Sequence, residues 1–254
     1  MRVLVCLIRK ELMESFRTGK MIIVLGIFIL FGIMNPAFAK LTPFIMEKFA
    51  ETDESMGIVI TGMTVDAGMS WQQFYKNMPM LIVAFLLLYS GIFTNEFQKN
   101  TLIPIVTKGL ERWKIVVSKT IVLLLVWTVG YCFNYGLTYF YTDYYWDNGI
   151  MSNLFLGGFC YWLFGTVIIA LVVFFSSISK SSGEVLLGVG VVYFIVSILS
   201  MVKVIGKVLP TALCSQNIIY GSDTSGIYMV IWESIVAVAL LLIMSISLFN
   251  RRSL

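Results

Sequence analysis

Any chemistry in this 254-residue chain has to be done without histidine, because it has none. That removes a Ser-His-Asp triad, a Cys-His pair and a His-ligated metal. Cys6, Cys132, Cys160 and Cys214 show no C-x-x-C spacing, and three of them lie in or beside apolar segments, where cysteine acts as a small hydrophobe. The phosphate-binding pattern G-x-x-x-x-G-K-[ST] occurs nowhere, and no polar stretch is long enough to hold the fold that carries it. A histidine-free intramembrane hydrolase would need Ser with Lys, paired Asp or Glu-rich motifs inside the apolar segments, and none of those segments holds two carboxylates. The chain therefore reads as a non-enzyme, with no catalytic residue, no metal ligands and no cofactor of its own. What remains is a few polar groups in apolar surroundings. Glu233 stands beside Trp232 in the last apolar run. It is either part of a translocation path or the partner of Lys203 or Lys207 near the outer interface, which is the simpler arrangement. Asn134 suits a helix-to-helix hydrogen bond, with a place on a translocation path as the sharper reading. Gly188 and Gly190 suit close helix packing.

The elements that hold these groups are set by composition. Hydrophobic residues make up 59% of the chain and charged ones 13%, against about 25% charged in an average soluble domain. A spanning helix needs about 20 mostly apolar residues. Six stretches qualify: 21–39, 79–95, 115–138, 154–176, 185–202 and 228–249. The fold expected is an all-α integral membrane bundle. An amphipathic helix over 1–20 precedes a single transmembrane domain over 21–254. Ala37-Phe38-Ala39 resembles a signal-peptidase site, but the long basic helical region before it favours a retained first helix. Ser181 with Glu184 matches a capping box opening the fifth span.

Lysine and arginine set the orientation. With the N-terminus inside, 13 fall on the inner side and 5 on the outer. Both termini are then cytoplasmic, and the chain sits in the cell membrane. Tyr139, Tyr141, Tyr144, Tyr145 and Trp146 form an aromatic belt where the third span leaves the outer leaflet.

Two inner segments carry the functional signal. In residues 1–20, Leu4, Val5, Ile8, Leu12 and Phe16 share one helical face. Arg2, Arg9, Lys10, Glu14, Arg17 and Lys20 populate the other. That pattern fits an interfacial helix on anionic lipid, or a simple topogenic anchor. In residues 96–114, Leu102, Ile103, Ile105 and Val106 are apolar yet bracketed by charge. They are too few to span and too apolar for water. A helix docking on a cytosolic protein would satisfy them, and so would a lipid-facing interfacial turn. The near absence of charge in the spans argues against an ion channel or a proton-driven carrier, and suits a hydrophobic or amphipathic cargo.

The run Arg9-Lys10-Glu11-Leu12 with Phe16-Arg17-Thr18 resembles the start of permease subunits of ABC-2 type exporters. So does the series Glu96, Thr101-Leu102, Thr107-Lys108, Arg112-Trp113-Lys114 and Ser118-Lys119. Asn100 stands where that family commonly has glycine. The resemblance implies a half-transporter that pairs with a second permease copy or homologue and sits on two cytosolic ATPase subunits. ATP and magnesium would be bound by those partners, not by this chain. It makes the loop between spans 2 and 3 a coupling helix, with Glu96, Thr101, Leu102, Ile105, Val106, Lys108 and Arg112 docking on the ATPase. The N-terminal helix, with Arg9, Glu11, Glu14 and Arg17, would brace it. Nucleic acid is not an expected partner. The competing reading is a non-transporting polytopic membrane protein: an immunity factor, a sensor or an assembly scaffold.

Overall fold

The computed structural model describes residues 2–52, 65–98, 109–221 and 226–251. Among them the chain is helical and holds no strand. Nine helices follow in order: α1 Arg2–Arg17, α2 Lys20–Thr52, α3 Ala67–Tyr89, α4 Thr94–Gln98, α5 Arg112–Tyr145, α6 Leu154–Ile178, α7 Ser182–Ser200, α8 Lys203–Gly206 and α9 Ile227–Arg251. Six segments are long and apolar enough to cross a membrane: α2, α3 with α4, α5, α6, α7 and α9. All six coincide with the apolar stretches of the sequence. The first three run further than those stretches. The helix expected over 79–95 begins at Ala67, and that expected over 21–39 continues to Thr52. The stretch left between these two runs, 40–78, thus shrinks, because polar residues such as Gln72, Lys76 and Asn77 are carried on helix beyond the apolar core. Thr101, Leu102, Ile105, Val106 and Lys108 lie outside the described residues.

Local sequence explains the joints. Gly19 adopts φ +76° between α1 and α2, a left-handed helix stop that a residue with a Cβ resists. Thr18 supports it by donating its hydroxyl to the Glu14 carbonyl at 2.8 Å. Asp66 caps α3, accepting from the Met69 amide at 3.1 Å. The capping box of α7 is formed: Ser181 Oγ accepts from the Glu184 amide, and Glu184 accepts from the Lys180 amide.

Packing divides the bundle. About 72% of the most apolar window of α6 is buried, against 11% for α7 and 17% for α9, so α6 is the central post and α7 and α9 are peripheral. Small residues let the helices approach. A Cβ on Gly165 would fall 1.9 Å from the Trp127 ring, one on Gly188 2.5 Å from Phe175, and one on Gly32 3.1 Å from the Asn134 carbonyl. Gly190 departs from the sequence reading. A Cβ there meets nothing within 4 Å, so it packs against no neighbour among the described residues.

A polar seam joins α2, α3 and α5. Asn77 donates to Asn35 Oδ1 at 2.8 Å, and Asn35 donates to Thr138 Oγ1 at 2.9 Å. Pro36 lies inside α2 and removes the amide that would bond the Gly32 carbonyl. Thr138 Oγ1 donates to that carbonyl at 3.3 Å instead, the re-satisfaction a membrane proline requires. Asn134, fully buried, donates to the Phe28 carbonyl of α2 at 2.9 Å.

Candidate functional site: a buried ion network at one end of the bundle

Contacts between chain segments fix which ends lie together. Gln98 donates to the Lys180 carbonyl and Arg112 to the Asn250 carbonyl, each at 3.2 Å. Lys10 of α1 reaches Glu96 of α4. The first helix and the last turn of α9 therefore share one end of the bundle with the turn before α7. At the other end, Asn148 joins the start of α3 to the end of α5. It accepts from Trp71 Nε1 at 3.1 Å and donates to the Tyr139 carbonyl at 3.2 Å.

At the first end lies the one cluster of buried charges among the described residues. Lys119, on the second turn of α5, is 1% exposed. Its Nζ donates to Glu11 Oε2 at 2.8 Å and to the Ile92 carbonyl at 2.9 Å, and stands 2.9 Å from Glu96 Oε2. Those three partners match the three donors of an ammonium. The Phe93 ring lies 5.6 Å beneath it. Lys10 closes the cluster from the rim, pairing with Glu96, with Glu11 at 3.2 Å and with Glu14 at 3.6 Å. Burial alone would lower the Lys10 pKa. The hydrogen bond to Glu96 and the charges of Glu11 and Glu96 outweigh it and hold the ammonium above the usual lysine value. Ser15, one turn beyond Glu11, shares a hydrogen bond with Tyr89 of α3 at 2.6 Å. Glu11, Glu14 and Glu96 offer carboxylate oxygens within 4.8 Å of one another. Two lysines already answer them, so the arrangement works as an ion-pair lock rather than a cation site.

The face that α1 turns inward differs from the apolar face read in the sequence. Glu11 and Ser15 are buried, flanked by half-buried Ile8 and Leu12, while Val5 and Phe16 are 62% and 60% exposed. The inner stripe is partly polar because it must supply a carboxylate to Lys119. The outward apolar residues suit lipid. Arg9, Glu14 and Arg17 are exposed.

Of the residues expected to dock, Glu96 is 8% exposed and held in the lock, and Arg112 is half-buried against the end of α9. Asn134 lies in the α2–α5 interface, away from the lock. Glu233 is half-buried on α9, and no ion pair to it forms among the described residues. Lys119, Lys10, Ser15 and Tyr89 were missed as a unit. The available signal was Lys119 itself, since a lysine inside the run from Ile115 demands a partner.

Comparison with known proteins agrees with this architecture. A family model described as ABC-2 family transporter protein matches residues 5–254. An uncharacterized transmembrane protein of Bacillus subtilis (strain 168), YxlG, is 23% identical over 258 residues, covering 99% of this chain and 98% of its own length. With the match running through the lock and all six membrane-crossing helices, the chain belongs to the ABC-2 family of transporter proteins.

Proposed function

We propose that this chain is the transmembrane permease subunit of an ATP-driven exporter, moving a hydrophobic or amphipathic cargo such as a peptide, drug or lipid out of the cell. Two copies, or this chain and a homologue, form the pore, and two separate cytosolic ATPases bind ATP and magnesium. The observation that carries the reading is the lock. Glu96 and Lys119 flank the segment 97–118; Lys119 is tied to α1 by the buried Glu11, and Glu96 by Lys10 at the rim. A force applied to that segment is then delivered to α1, α3 and α5 together instead of being lost in a slack loop. Coupling on this scheme is a population shift, limited by the difference in affinity that the two ATPase states have for the two permease states.

The assignment of residues follows. Leu102, Ile105 and Val106 supply apolar adhesion to the ATPase, with Thr101, Lys108 and Arg112 at the rim. Glu96 acts behind them as a fastener of the frame. Arg9 and Arg17 face the headgroups and cytosol, as the excess of inner lysine and arginine requires.

Purification of the full chain from its native cells in mild detergent tests this. A magnesium-dependent ATPase should accompany it, and Leu102→Asp with Ile105→Asp should release that ATPase while leaving the permease monodisperse. A particle without any ATPase, or Lys108 labelled from outside intact cells, overturns the proposal.

A further inference from the structure

A second polar locus lies at the far end of the bundle, on α9. Phe249 packs on Phe93 and Phe97 with ring centroids 6.0 and 5.5 Å apart, at the level of the lock. Glu233 stands about 24 Å above it at about 1.5 Å per residue. In a hydrocarbon layer about 30 Å thick, that is the outer half, inside the membrane. A carboxyl group there calls for a counter-charge, and no lysine or arginine among the described residues supplies one. Beside it, Ser234 is fully buried and its Oγ has no hydrogen-bond partner. Ser245 on the same helix shows the ordinary alternative, donating to the Leu241 carbonyl at 2.6 Å. Two adjacent polar groups on α9 are thus left open among the described residues.

Above them is space. A cavity of about 310 Å³ is lined by Gly226, Ile227 and Val230 of the α9 end and by Lys207, Ser215 and Ile218 of the segment before it. Gly226, Val230 and Glu233 fall at i, i+4 and i+7, one helical face, so the carboxyl lies one turn below the cavity floor on the same side. The walls are apolar along α9, and Trp232 beside Glu233 is 69% exposed, an apolar surface for a hydrocarbon chain.

We propose that this locus is a cargo site for an amphipathic cation, an alkylated ammonium or guanidinium whose charge pairs with Glu233 and whose apolar part lies against α9. The proposal rests on the export reading and narrows its cargo class. Lys207 at the rim repels the same charge, so entry runs from the membrane.

The test is binding to the full chain in nanodiscs of zwitterionic lipid, with radiolabelled dodecyltrimethylammonium as the probe, dodecyl sulfate as its opposite-charge counterpart, and empty nanodiscs subtracted. The cation should bind saturably and the anion should not. Glu233→Gln should weaken the cation about tenfold or more, the range of a lost charge-assisted contact. Glu233→Asp should retain part of it. Lys207→Gln should tighten it. Gly226→Leu, where an added Cβ meets nothing within 4 Å, should block the cavity without disturbing the fold. Equal cation binding by wild type and Glu233→Gln overturns the proposal, as does preference for the anion. So does a Glu233→Gln chain whose oligomer falls apart by native mass spectrometry, since the counter-charge would then belong to a second copy. No ATPase is present in the assay, so absent binding leaves the coupling scheme intact and lost coupling leaves the binding result intact.

Discussion

Removing Lys119 tests the lock most directly. Lys119→Met keeps length and apolar volume but deletes the ammonium that stands 2.8 Å from Glu11 and 2.9 Å from Glu96. The side chains of Lys119, Glu11 and Glu96 are 1%, 7% and 10% exposed, so water and salt screen little of the change. Breaking a buried pair from one side costs about 3–5 kcal/mol, because the remaining charge stays buried without its partner. Here two carboxylates are left facing each other. Lys10 recovers only part of the loss, being 43% exposed and already bonded to Glu96. The expected destabilisation is therefore about 3–5 kcal/mol, read as the shift in unfolding free energy in mixed micelles titrated with dodecyl sulfate. A double-mutant cycle with Glu11→Gln isolates the pair. Gln cannot leave an unpaired charge, so the double variant should be less destabilised than the two single losses added together, by about 1 kcal/mol or more. A cost below about 1 kcal/mol for Lys119→Met, or additive single effects, would refute the claim that these charges form one buried unit.

Further outcomes follow from the same packing. Lys10→Met should cost about 1 kcal/mol or less and lose that effect at high salt, as an exposed pair does, checked by the same titration. Gly165→Ala should cost about 1–3 kcal/mol because its Cβ would meet the Trp127 ring at 1.9 Å. Gly190→Ala, with open space around it, should be neutral or stabilise by up to about 1 kcal/mol. Asn35→Leu should cost about 1 kcal/mol, the usual scale for an interhelical hydrogen bond in a membrane. Single cysteines at Lys180 and Asp147 in a cysteine-free chain test orientation: an impermeant maleimide should reach position 147 in intact cells and position 180 only after permeabilisation.

How much of this was legible in the sequence follows from what each pattern encodes. Runs of apolar residues report directly on the bilayer, so all six crossing segments could be read from them. The extensions of α2 and α3 beyond their apolar runs could not, since Lys40 or Gln72 is as much at home on a protruding helix as in a loop. The capping box of α7 was legible because it spans only four residues. The lock was not, because Glu11, Glu96 and Lys119 are far apart in sequence and each alone looks like a cytoplasmic charge. A helical wheel for α1 even hides it: Glu11 sits near the boundary between the two faces, and only the presence of Lys119 across the interface turns it inward. Asn134 was recognisable as a helix-to-helix donor, but its acceptor is a backbone carbonyl of α2, which no side-chain pattern reveals.

The two polar loci suggest a division of labour within the subunit. The lock is paired, buried and shared by three segments, which makes it a rigid joint. Electrostatic attraction at low dielectric is strong there, and a small separation would uncover charges that water cannot readily reach. The α9 locus is the opposite, with a carboxyl and a hydroxyl left unpaired on a helix whose surface is mostly open. Rigid coupling at one end and unsatisfied groups at the other are what a lever needs. On the proposed coupling scheme, displacement of 97–118 would move α1, α3 and α5 together against α7 and α9, the least buried helices. On this view a variant that loosens the lock, such as Lys119→Met, should uncouple ATP hydrolysis from transport while leaving dodecyltrimethylammonium binding at Glu233 within about twofold of wild type, a difference of about 0.4 kcal/mol. A parallel loss of binding would mean that the two ends are not mechanically distinct.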